Sequence, residues 1–125
     1  MPTKRKDPFR YTLKQPLSCR IEIKTIDQKP VSSKPAEAEL IDISKSGCRI
    51  RTNLNLQAEN YRIEAAVHVQ LNENMLVFPG EILWQQQLAD SFFHYGMQLE
   101  LNAEEKENLN AELRLLAGAQ RIIVM

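Results

Sequence analysis

At 125 residues the chain has the size of one compact domain, and two full hydrophobic cores are excluded. Hydrophobic residues at 43% against 26% charged supply enough apolar surface for a core, and six prolines and four glycines are spread too widely to form a disordered tract. Sixteen basic and sixteen acidic side chains leave no net charge, so binding to DNA or RNA is not expected. The balance is uneven along the chain: residues 1–24 carry seven basic side chains against Asp7 and Glu22, whereas residues 100–114 are acidic. No apolar run reaches the about 18 residues of a membrane span, and the basic start lacks a hydrophobic segment of signal-peptide length. A cytoplasmic protein without membrane insertion is the expectation. Cys19 and Cys48 are too few for a metal cluster and are expected to sit reduced in strands.

Past the basic head the apolar period is mostly two. Leu17, Cys19, Ile21 and Ile23 share one face of a strand, and the prolines and turn formers of residues 27–35 read as a loop. AEAELIDI (36–43) predicts a strand that bends near Asp42, and GCRIRT (47–52) another after the SKSG punctuation. RIEAAVHVQL (62–71) alternates cleanly, the turn NEN follows, and MLVFPGEILW (75–84) carries Pro79 and Gly80, which predict a bulge, an edge or a break. SFFHYGMQLEL (91–101) places Phe93, Tyr95, Met97, Leu99 and Leu101 on one face. No helical stretch separates these segments, so crossover βαβ units are excluded.

The period changes only after residue 101. Asn102 with Glu105 three positions on has the form of a capping box, Leu109, Leu113, Leu116 and Ala117 make an apolar stripe, and Gly118 offers a stop. The reading is an all-β, antiparallel arrangement of five or six strands with one C-terminal α-helix, and periodicity leaves a closed barrel and a small sandwich both open. Residues 119–125 could add a short strand, dock as a tail or contact another subunit.

Catalytic arrangements are missing from the sequence. His68 and His94 lie in strand patterns without metal-ligand companions, and no phosphate loop or dinucleotide fingerprint occurs. An enzyme, a metal and a cofactor are therefore not expected. Two polar clusters remain: Lys4, Arg5, Lys6 and Arg10 in the head, and Asp42, Ser44 and Gly47 between two strands. If the head folds over that junction, cationic groups meet phosphate oxygens. Guanine then fits better than adenine, because arginine donates to O6 and N7 while a carboxylate accepts from the N1 and N2 hydrogens. The plainer alternative is a solubilising tail beside a hairpin turn in which Asp42 and Ser44 satisfy their own backbone and Gly47 supplies an unusual dihedral.

On these residues the sequence resembles the PilZ domain family, which carries RxxxR ahead of its first barrel strand and D/NxSxxG after it. Asp42, Ser44 and Gly47 match the second pattern at each defined position; in the frame KDPFR, Lys6 and Arg10 hold the defined positions of the first. EILW (81–84), HYGMQLEL (94–101) and a helix from near Ala103 extend the resemblance over residues 4–117. It implies a six-stranded antiparallel β-barrel with one C-terminal α-helix, organised as a basic N-terminal ligand-binding segment (1–12), a barrel with helix (13–118) and a tail (119–125). It also implies a non-catalytic receptor or adaptor that binds cyclic di-GMP and passes its occupancy to an effector protein of a motility, secretion or exopolysaccharide system. The implied ligand-binding residues are Arg5, Lys6, Arg10, Asp42, Ser44 and Gly47, with Cys48 and Arg49 as flanking contacts. Lys6 keeps the positive charge of the pattern's first arginine and loses its planar donor array. The alternative is a degenerate PilZ domain that binds no nucleotide and serves as a protein-interaction module.

Overall fold

The computed structural model describes residues 11–88 and 91–119, and the backbone of residues 122–124. In chain order the elements are β1 (Tyr11–Ile26), β2 (Lys29–Pro30), β3 (Ala36–Ile43), β4 (Gly47–Thr52), β5 (Ile63–Gln70), β6 (Met75–Gln87), β7 (Phe93–Leu99), α1 (Ala103–Gly118) and β8 (Ile122–Val124). Strands β1, β3, β4, β7, β6 and β5 are hydrogen-bonded in that order, all antiparallel, and β5 returns to β1. The sheet is a closed six-stranded barrel, which removes the exposed edges that an open sheet of this size would present. The two short strands β2 and β8 both add to β1.

Alternation builds the interior. Ile21, Leu40, Ile50, Ile63, Val67 and Tyr95 are among the fully enclosed side chains, and each lies at a position whose neighbours in sequence turn outward. Tyr95 is the one large polar-tipped residue among them. Its hydroxyl donates to the Leu54 carbonyl and accepts from the Leu56 amide at 2.9 Å, so the core itself fastens the connection between β4 and β5. Burial raises the Tyr95 pKa and keeps that hydroxyl in its donating form. Cys19 and Cys48 are free and buried, and burial, reinforced by Glu39 and Glu37, pushes the Cys19 thiol up to about 12.

Helix α1 begins as its sequence predicts. Asn102 accepts from the Glu105 amide at 2.8 Å while the Glu105 carboxylate accepts from the Asn102 amide at 3.0 Å, which satisfies two amide donors at the helix start. Leu109, Leu113 and Leu116 join the same core as the strands. Asn72, in the β5–β6 turn, donates to the backbone carbonyl and side chain of Glu112 and ties the helix to the barrel. The helix runs through Gly118 and its cap falls on Ala119, one residue beyond the predicted stop.

Three further expectations are modified. The first strand begins at Tyr11, six residues before its clear alternation, because Tyr11 and Thr12 pair with Ile43 and Asp42 across a bulge that absorbs Pro16. The loop predicted at 27–35 opens with a two-residue hairpin, Asp27 and Gln28 both at positive φ, followed by β2. Pro79 and Gly80 do not interrupt β6. Pro79 stands where β7 has ended, its carbonyl taking the Glu100 amide at 2.8 Å, so its missing N–H breaks no rung of the ladder. Gly80 is required there by close approach, since a Cβ would lie 2.3 Å from the Gln98 carbonyl oxygen.

Because Leu113 is wholly enclosed between helix and barrel, Leu113→Ala should destabilise the domain by about 3 kcal/mol, measured by urea denaturation. A loss below about 1 kcal/mol would show that α1 is not part of the cooperative core.

Candidate functional site

The site is built by two phase changes in the strands. In β3, Leu40 pairs with Ile50 but Asp42 pairs with Arg49, so Ile41 is one residue more than the partner strand supplies. In β6, Ile82 pairs with Met97 but Trp84 pairs with Gly96, which makes Leu83 the corresponding extra residue. A one-residue bulge exchanges the faces of all that follows it. Asp42 and Trp84, each in phase with inward residues two positions before, are thereby turned to the outer surface.

They arrive on the same row. Register pairs Thr12 of β1 with Asp42 of β3, Asp42 with Arg49 of β4, Arg49 with Gly96 of β7, and Gly96 with Trp84 of β6. Arg49 Nη2 donates to Asp42 Oδ2 at 3.0 Å, which gives Asp42, only 3% exposed, a charged hydrogen-bond partner. Arg49 Nε is buried without an acceptor, a state that costs about 1–3 kcal/mol for a donor withdrawn from water. Gly96 is a shelf: a Cβ there would stand 2.1 Å from Trp84 Nε1, so only glycine lets the indole lie flat across β7. The indole remains 42% exposed, an aromatic surface close to a guanidinium and a carboxylate.

At one end of this row the β3–β4 turn is closed by Ser44. Its amide donates to the Gly47 carbonyl at 2.7 Å, and its Oγ accepts from the amides of Gly47 at 3.2 Å and Ser46 at 3.4 Å. Ser46 in turn accepts from the Leu99 amide at 2.7 Å, which anchors the turn to the end of β7. Gly47 is buried and does not adopt a positive φ, so the unusual dihedral considered from sequence is not its role.

A second outer row runs beside the first. Arg51 donates to Glu39 through Nε at 2.9 Å and also through Nη2, its guanidinium lies 5.4 Å from the Phe92 ring centre, and His94 is its register partner. Burial, with Arg49 and Arg51 nearby, lowers the His94 pKa despite the opposing effect of Asp42. On the far side of the barrel, His68 is hydrogen-bonded to Glu22 at 3.1 Å and belongs to an ion-pair group with Lys24.

Asp42, Ser44 and Gly47, read from the sequence as one cluster, are together in space. Cys48 is turned inward into the core, so of the two flanking residues only Arg49 presents its side chain to the outer face. Arg5, Lys6 and Arg10 lie outside the described residues. Sequence reasoning did not assign Trp84 or His94 to the site. The available signal was GEILWQ against HYG, where a tryptophan and a glycine on neighbouring strands can form a shelf, but alternation through the unrecognised bulge at Leu83 would have put the indole inside. Among the described residues no group of three or more His, Cys, Asp and Glu could hold a metal, and no helix is long and apolar enough to cross a membrane.

The fold is thus a closed antiparallel barrel with a C-terminal helix, and it carries a charged and aromatic row on its outer wall. The family model for the PilZ domain matches residues 4–115, and the chain belongs to the PilZ domain family. PilZ domains are generally non-catalytic receptor domains. Solved structures similar to it include the Bacillus subtilis inhibitor of motility MotI/DgrA, 13% identical with a TM-score of 0.59 over 96% of this chain and 55% of that one. K. pneumonia MrkH in its apo state is 18% identical with a TM-score of 0.58, over 97% of this chain and 56% of that one. A second crystal of MrkH gives 15% identity and a TM-score of 0.61, over 97% and 53%. The chain thus spans about half the length of these proteins. Comparison with curated proteins gave no match.

Two outcomes follow for the row itself. Gly96→Ala should drive the indole off its shelf and, since Trp84 is the sole tryptophan, shift the intrinsic fluorescence of the folded protein towards that of a solvated indole. An unchanged spectrum would mean that the indole does not rest there. His94 titrates lower in the folded than in the unfolded chain, so its contribution is complete above its ordinary 6.5 and is lost as the pH falls towards the folded value. Urea denaturation between about pH 7.5 and 5.5 should show stability decreasing with acidity, and His94→Gln should flatten that slope. An equal slope in both proteins would remove His94 as its source.

Proposed function

We propose that this PilZ domain is a receptor for cyclic di-GMP that binds the nucleotide on the outer wall of the barrel and passes occupancy to an effector protein. The observation that carries this reading is the single row formed by Asp42, Arg49 and the Trp84 indole on its glycine shelf, ending at the Ser44–Gly47 turn. A carboxylate accepts from guanine N1 and N2, a guanidinium donates to guanine or phosphate oxygens, and an exposed indole offers a stacking face. The motif positions Lys6 and Arg10, with Arg5 beside them, supply the cations for the two phosphates. The row contains acceptors, donors and a platform, the groups that a nucleotide-binding surface uses. The protein acts in the cytoplasm, where the nucleotide is a soluble messenger. The similarity to an inhibitor of motility makes a motility apparatus one class of effector, alongside secretion and exopolysaccharide systems.

Titration calorimetry tests the reading directly. Cyclic di-GMP should bind saturably and in preference to GMP and cyclic di-AMP, with a change in Trp84 fluorescence. Arg10→Ala and Asp42→Ala, each verified as folded by thermal melt, should each weaken binding by about 2 kcal/mol. Absence of binding to the wild type at high micromolar nucleotide would replace the receptor with the protein-interaction module. Undiminished binding in both variants would move the site elsewhere.

A further inference from the structure

Asp42 is not the only part of the outer row that can read a base. Arg49 is the residue paired with it, and its side chain is 36% exposed while its Nη2 remains bound to Asp42 Oδ2 at 3.0 Å. A donor group is therefore fixed directly beside an acceptor group. Guanine presents the complementary order along one edge, the O6 acceptor next to the N1 and N2 hydrogens, whereas adenine presents a donor at N6 next to an acceptor at N1. Turned over, adenine can meet the pair through N1 and N6, but it lacks the N2 hydrogens that guanine adds for the second carboxylate oxygen, so guanine makes one more hydrogen bond.

We infer that Arg49, acting as a unit with Asp42, is a specificity-determining residue for guanine and provides the planar donor group that the chain lacks at Lys6; the inference rests on the cyclic di-GMP reading above. Three observations carry it. The Arg49–Asp42 bond fixes the spacing of donor and acceptor before any ligand arrives. The Arg49 side chain is 36% exposed and engages Asp42 through Nη2, so its guanidinium can also meet a ligand on the outer face. Gly96, the register partner of Arg49 on β7, lies beneath the Trp84 indole, so a base reading the Arg49 edge has an aromatic face close by. Lysine at position 49 would keep a cation beside Asp42 and could still position that carboxylate, but it would not offer a flat set of donors.

The test compares titrations of cyclic di-GMP and cyclic di-AMP against the wild type, Arg49→Lys and Lys6→Arg, with folding monitored by thermal melts. Arg49→Lys should weaken cyclic di-GMP about tenfold and change cyclic di-AMP little, so that the ratio of the two affinities falls. A ratio equal to that of the wild type would overturn the inference and leave Arg49 as a support for Asp42. If the wild type does not bind cyclic di-GMP but Lys6→Arg does, Arg49 fails to supply the missing donors while the receptor reading of the site stands. If neither binds, both fall.

Discussion

The barrel closes through a short overlap in one strand. Only Cys19, Arg20 and Ile21 of β1 pair on both sides with barrel neighbours, Ala38, Glu37 and Ala36 on β3 and Val69, His68 and Val67 on β5. Before this overlap β1 belongs to β3, and after it to β5, a stagger of the kind that lets six strands tilt into a cylinder. The side of β1 left open at its start is taken by β8 and the side left open at its end by β2, so its backbone groups are paired at both extremities as well. Sixteen residues in one strand, with a bulge near Pro16, are what this double duty requires.

With the interior fixed by closure, the outer wall can only be changed by altering strand phase. An unbroken β3 would point Asp42 inward with Leu40, and an isolated carboxylate in that apolar space would be driven towards its neutral form. The extra residue Ile41 turns Asp42 outward beside Arg49, while Ile43 takes its place in the core. Leu83 does the same for Trp84. Two inserted residues, on strands separated by β4 and β7, thus bring carboxylate and indole to one level without disturbing the packing beneath them.

The parts of this architecture that were legible in the sequence are those set by local periodicity. The strands from Ala36 to Leu99 and the capped helix with its leucine stripe follow from alternation and from the Asn102–Glu105 pair. The DxSxxG cluster was legible because its residues lie within one turn, where sequence distance limits spatial distance. Beyond it only Arg49 was named, as a flanking contact implied by the resemblance, and its meeting with Gly96 and Trp84 was not legible. Arg49, Gly96 and Trp84 meet through register, which depends on pairing between segments tens of residues apart and on bulges that leave little trace in composition. Pro79 and Gly80 carried the familiar signs of a bulge, yet both lie in continuous strand because β7 ends beside one and its backbone crowds the other.

The enclosed thiols set the chemical character of the wall that surrounds them. Thiolate is the species that reacts with peroxides and alkylating agents, and with its pKa pushed to about 12 the Cys19 sulfur is held as the neutral thiol at neutral pH. Cys48 is shut into the same interior at 2% exposure, on the inward face of the strand that carries Arg49. Both residues are buried, which slows their reaction with reagents in solvent. A single cysteine introduced on the outer wall would therefore be the more reactive thiol for attaching a probe beside the row.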